Sequence, residues 1–166
     1  MPLLQPRLMF FLAFAGCSVL MLVALYLQHG LGLEPCPLCY VQRAEVVLFG
    51  TIALLAFLHN PQTTGRRIYA SLLLLTAAGG IATAGRQLWL QHLPKDQLPE
   101  RLPPLEFMLE VFPLKDVIMK MLHGSSDCAE RGWTLLGLNI AEMSMISFVL
   151  MLVGALWIRR LLRIEV

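Results

Sequence analysis

"LMFFLAFAGCSVLMLVALYLQ", residues 8 to 28, contains no charged residue. A helix needs about 20 apolar residues to cross the hydrocarbon of a bilayer, so this run alone predicts a membrane span. Three further runs share its length and character, from about Tyr40 to Leu58, Ile68 to Leu90 and Ile140 to Ile158. Composition agrees: 57% of residues are hydrophobic and 14% charged, against ~45–50% apolar and ~25% charged in soluble domains. The expected fold is all-α, one membrane domain over residues 1–166 built as a four-transmembrane-helix bundle. Loops 29–39 and 91–139 would share one face. The formal net charge of +2 carries no basic excess that calls for nucleic acid. Membrane lipid is the expected surrounding.

Arg7 ahead of the first run raises the question of a cleaved leader, and "FAGC" at 14–17 has the outline of a lipoprotein cleavage box. Phe14 is bulky where that box takes a small aliphatic residue, and the apolar run continues past the length of a signal-peptide core. The segment is expected to stay as a span. Arg7, the pair Arg66 and Arg67, and the cluster Arg159, Arg160 and Arg163 flank three span ends, whereas His29 to Pro35 has no basic Lys or Arg. By the bias of Lys and Arg toward the cytoplasmic side, both termini are expected inside and both 29–39 and 91–139 outside.

Two loops differ in content. "HNPQTTGRR", 59–67, is made of turn formers and reads as a tight connection. In the long loop, Leu105, Met108, Leu109 and Phe112, then Leu114, Val117, Ile118, Met121 and Leu122, recur at helical intervals, with Pro113 dividing the run. Too short and too charged to span, the segment predicts a short interfacial helix, there to moor the loop or to dock a partner. Within the third span, Gly79, Gly80 and Gly85 with several alanines predict a face for close helix packing.

The cysteines carry the chemistry. Cys17 lies mid-span, where a thiol is usually a small inert hydrophobe. Cys36 and Cys39 form a C-x-x-C in "EPCPLCYVQR", 34–43, and Cys128 lies in the long loop on the same face. C-x-x-C serves both zinc and redox sites. A closed zinc site needs four ligands, and the outer face offers Cys128, His29, His92 and His123 only singly; a dithiol facing an oxidising compartment favours the redox reading. Pro37 and the start of the second span put Cys39 near a helix N-terminus, which favours its thiolate. Arg43, one turn on, adds a fixed positive charge on the same face. The alternative for Arg43 is an ion pair with Glu45. Arg86, near the outer end of the third span, would join the site if those helices pack together. Cys128 either pairs or stays a free thiol.

Together "CPLCYVQR", "GRRIYA", "AGRQLWLQ" and "DCAERGWTLLGL", in this order and over almost the whole chain, resemble the DsbB family of bacterial inner-membrane disulfide bond formation proteins. The resemblance implies a four-helix bundle that reoxidises a periplasmic DsbA-like dithiol oxidase and passes two electrons to a membrane quinone, ubiquinone or menaquinone. It implies that Cys36 and Cys39 are the quinone-facing pair with Arg43 beside Cys39, and Cys128 the second cysteine of a loop pair; Arg86 and His92, near the outer surface, are the further candidate cofactor contacts by position alone. The position where the family carries the first loop cysteine, within "LPERLPPLEFML", holds Arg101 here. The usual mixed disulfide with the partner cannot form at that position, and a shortened relay through a Cys36–Cys128 link is the expected substitute. The competing classes are a vitamin K epoxide reductase-like quinone reductase and a non-catalytic metal-binding membrane subunit.

Overall fold

A computed structural model describes residues 6–164, with the side chains of Arg163 and Ile164 outside the described part. Four helices, α1 (Pro6–His29), α2 (Pro37–His59), α3 (Thr63–Leu90) and α6 (Ile140–Ile164), are long and apolar enough to cross a membrane. The fold is all-α, a multi-pass membrane bundle. Many of its outward side chains are large and apolar, among them Leu22, Leu58, Leu75 and Leu150 at 63–70% exposure. Such a surface is stable against lipid and not against water.

Two helices begin earlier than their hydropathy suggests. α2 starts at Pro37, not near Tyr40, because proline suits the first helical position and Cys36 outside it stays extended. Cys39 is thereby the third residue of the helix. α3 starts at Thr63, so Gly65, Arg66 and Arg67 are helical and the true turn shrinks to 60–62. Asn60 ends α2 in the left-handed conformation (φ 40°), a geometry asparagine tolerates better than most residues.

The helices pack in the order α1, α2, α3, α6, with α1 and α6 barely in contact. One core lies in the half of the bundle away from the dithiol, where Phe10, Phe49, Leu73, Ala77, Ile158 and Leu162 are buried together. Close approach there relies on missing side chains. A Cβ on Gly80 would stand 2.1 Å from the ring of Phe148, and one on Gly50 3.0 Å from Cβ of Cys17. Cys17 is a buried packing residue at the α1–α2 contact.

The long connection folds over the other end of the bundle. Pro113 splits its amphipathic run into α4 (Leu105–Val111) and α5 (Leu114–His123). Met108, Val117 and Met121 pack with Tyr40 and Val41 of α2, while Phe107, Leu109, Leu114 and Ile118 remain exposed. A two-residue hairpin, β1 (Thr134–Leu135) and β2 (Leu138–Asn139), then leads into α6. Its turn places both Leu136 (φ 54°) and Gly137 (φ 83°) in the left-handed region. Asn139 starts α6 with a reciprocal cap: its Oδ1 accepts from Glu142 N at 3.0 Å and its N–H donates to Glu142 Oε2 at 2.8 Å.

Candidate active site

Cys36 caps α2 from outside, with φ −69° and ψ 163°, and its carbonyl accepts from the N–H groups of Cys39 (2.9 Å) and Tyr40 (3.3 Å). This single turn brings the two sulfurs to 2.9 Å. The separation exceeds the ~2.05 Å of a disulfide bond, and both cysteines are free thiols.

Cys128 reaches the same point from the loop. Gly124 ends α5 at φ 80°, and a Cβ on it would lie 2.7 Å from Leu90 and 3.1 Å from Leu38. Both its dihedral and its neighbours therefore require glycine. Ser126 N–H donates to Pro99 O at 3.1 Å, and Cys128 N–H to Ser125 O at 3.0 Å. Cys128 is fully buried against Leu38 and Leu90, with Cys36 packed beside it. A hydrogen bond from Cys36 holds the Cys128 thiol down at about 6, against the cost of burial and helped by the N–H groups of Leu38 and Ser125. Cys36 is pushed up in return, by its hydrogen bonds to Cys128 and then Cys39 and by desolvation. Cys36 thus has Cys39 on one side, at 2.9 Å, and the cluster that buries Cys128 packed against it.

On its other side Cys39 faces a cavity of about 180 Å³ between α1, α2 and α6, lined also by Arg43, Gln42, Met21, Ile140 and Met143. Arg43 turns its guanidinium to α1, donating to Gln28 Oε1 and, at 3.1 Å, to Ala24 O. Both partners are neutral. Glu45 is bonded to Thr83 of α3 at 2.7 Å, so the alternative ion pair with Arg43 is not formed. Glu34 also lines the cavity.

Two residues that sequence reasoning passed over complete the site. Gln87 of α3 donates from Nε2 toward Cys36 Sγ (3.5 Å) and Cys39 Sγ (3.6 Å). Its Oε1 accepts from Gln42 Nε2 at 2.8 Å. An amide inside an apolar span needs a partner, and that was the available signal in "CYVQR" and "AGRQLW".

Arg86 and His92, expected near the cavity, are not among its lining residues. Arg86 donates twice to the carbonyl of His123, at 3.2 and 3.1 Å, and stacks 4.3 Å from the Trp89 ring centre. It ties α3 to the end of α5. His92 is exposed, its Nδ1 2.7 Å from Leu88 O. Arg101 is exposed too and forms ion pairs with Asp127 and, at 3.5 Å, Glu130. It thus clasps the residues either side of Cys128.

Residues 6–158 match the family model for disulfide bond formation protein DsbB. The chain belongs to the DsbB family. It is 48% identical over 157 residues to a disulfide bond formation protein B of Stutzerimonas stutzeri, covering 95% of this chain and 96% of that one. It is 50% identical over 149 residues to disulfide bond formation protein B 1 of Pseudomonas aeruginosa, with 90% and 91% covered. A Marinobacter nauticus relative shares 47% over 152 residues, with 92% and 90% covered. Membership gives the chain a thiol oxidoreductase role in disulfide bond formation.

Proposed function

We propose that this DsbB-family chain reoxidises an external DsbA-like dithiol oxidase and delivers the electrons to a membrane quinone at the cavity between Cys39 and Arg43. The observation that carries this reading is that Cys39 and Arg43 line one cavity, while Cys36, 2.9 Å from Cys39 and packed against the cluster that holds Cys128, does not line it. A cavity of ~150 Å³ admits benzene, so about 180 Å³ suits a six-membered quinone ring. Leu20 and Ser147 lead on to a second, apolar cavity of about 560 Å³ between α1 and α6, wide enough for an isoprenoid chain. Arg43 would hold a ring oxygen, since its own partners are neutral. A bound quinone supplies the acceptor for two electrons and two protons, leaving as quinol while two thiols become a disulfide.

The chain's own steps are exchanges between sulfurs. The Cys128 thiolate attacks Cys36 of an oxidised Cys36–Cys39 pair, forming a Cys36–Cys128 disulfide and releasing Cys39 as thiolate. A partner thiolate then attacks Cys128, freeing Cys36, and the partner's second thiol displaces Cys128 to close the partner's disulfide. Cys36 and Cys39 are left reduced and ready for reoxidation. This route replaces the loop pair that Arg101 removes. Because Cys128 is fully buried, attack on it requires residues 124–131 to lift.

The orientation follows from charge. Arg7, Arg66, Arg67, Arg159 and Arg160 lie at the bundle end opposite the dithiol, which supports cytoplasmic termini in a bacterial inner membrane with the dithiol outside. Two measurements test the reading. Mass mapping without reductant should find a Cys36–Cys128 link, and a Cys128 that is always free overturns the relay. Reduced protein should convert short-tailed ubiquinone to quinol, with Arg43→Ala slower by about 10²-fold, the order reported for loss of one electrostatic contact at a reacting group. Parallel runs with a menaquinone analogue identify the acceptor, and Arg101→Cys should raise turnover with a DsbA-type partner.

A further inference from the structure

Gln42 and Gln87 are each only 4% exposed, although they lie in helices long and apolar enough to cross a membrane. Leucine at both positions would pack without any polar group to satisfy. A buried carboxamide is tolerated where its hydrogen bonds are made, and here the pair is made end to end, from Gln42 Nε2 to Gln87 Oε1 at 2.8 Å. The contact has a direction. With its oxygen occupied, Gln87 presents its NH₂ group to the dithiol, 3.5 Å from Cys36 Sγ and 3.6 Å from Cys39 Sγ. Turning the Gln87 amide alone would set N–H against N–H.

We infer that Gln87 is a catalytic hydrogen-bond donor to the C-x-x-C sulfurs, held in that orientation by Gln42, and that the pair sets the balance between dithiol and disulfide. This rests on the quinone-linked reading above and deepens it. A disulfide sulfur is a weak acceptor, whereas a thiolate takes a charge-assisted bond. A fixed donor therefore favours the reduced pair and makes the disulfide a stronger oxidant toward incoming thiols. Arg43 does not fill this place, because its guanidinium is engaged on α1. Gln87 spans both sulfurs, so it keeps its bond to Cys39 when Cys36 is taken by Cys128. Gln42 is a positioning residue: its Nε2 bonds Gln87 Oε1, and only Gln87 bonds the sulfurs.

The test uses full-length protein carrying Cys128→Ser, so that Cys36 and Cys39 form the outer pair, equilibrated against glutathione redox buffers. Gln87→Met keeps the volume and removes the donor. It should shift the equilibrium about tenfold toward disulfide, the order of one hydrogen bond to a charged group, which is a potential lower by about 30 mV. Gln42→Met leaves the donor but frees its orientation, with an expected shift of about threefold in the same direction. A Gln87→Met protein that folds with an equilibrium within about twofold of its parent overturns the inference, as does a loss of thermal stability with no change in potential. Should Gln87→Met not fold, Gln42→Met decides, and no shift there overturns it equally. Reduction of short-tailed ubiquinone by the parent is read in parallel: its failure removes the quinone reading while the potentials still report on Gln87.

Discussion

Away from the dithiol, Phe10, Phe49, Leu73, Ala77 and Ile158 fill the space between helices, and Gly80 takes the ring of Phe148 against its backbone. At the dithiol end the same helices behave differently. α2 and α3 meet through two carboxamides and a Glu45–Thr83 hydrogen bond, and α1 stands off from α6 around a cavity. The difference separates a region held by packing from the region that holds the dithiol. Dispersion between close-packed apolar groups holds the first region; the second holds polar groups that are buried only because each has a partner.

The contrast can be broken from either side. Gly80→Leu should prevent bundle assembly, and Gly80→Ala should cost about 1–3 kcal/mol as overpacking, read as a lower unfolding midpoint in detergent. Gly154→Ala, with nothing within 4 Å of its added Cβ, should leave the midpoint unchanged. At the other end, protein carrying Cys39→Ser should show thiolate ultraviolet absorbance rising with a midpoint near the value of about 6 held by Cys128. The sign follows from the lowered value: thiolate persists between about 6 and the ordinary 9.0, and is lost as pH falls through about 6. Adding Cys36→Ala removes the donor and should move that midpoint upward, toward 9.0. Asn139→Ala should cost about 1 kcal/mol through loss of the α6 cap, measured by the same thermal scan. Least affected should be Arg101→Ala, whose exposed ion pairs add little to stability. Its expected effect is faster alkylation of Cys128, and an unchanged rate would show that Arg101 does not hold the 124–131 segment down.

The four spans were legible because runs of about twenty mostly apolar residues permit few other structures, and the loop helices because their apolar residues recur every three or four positions. Helix starts were less legible. Hydropathy averages over a window and does not register that Pro37 can open a helix in the middle of a polar stretch. The cysteine site was half visible: "CPLC" announced the pair, and only the fold shows that Cys128 is buried with Leu38 and Leu90 against Cys36. Charge drew attention to Arg86, which donates to the His123 carbonyl, and away from Gln87, a neutral side chain bonded to a neighbour forty-five positions earlier.

The sparse contact between α1 and α6 has a mechanical consequence. A barrel of four staves with one joint left unglued would let the proposed greasy cargo enter sideways from the bilayer, with no stave needing to be pulled. Leu20 and Ser147, which line both hollows along that joint, mark where a covalent stitch between the first and last staves would seal the entrance while every sulfur stayed untouched.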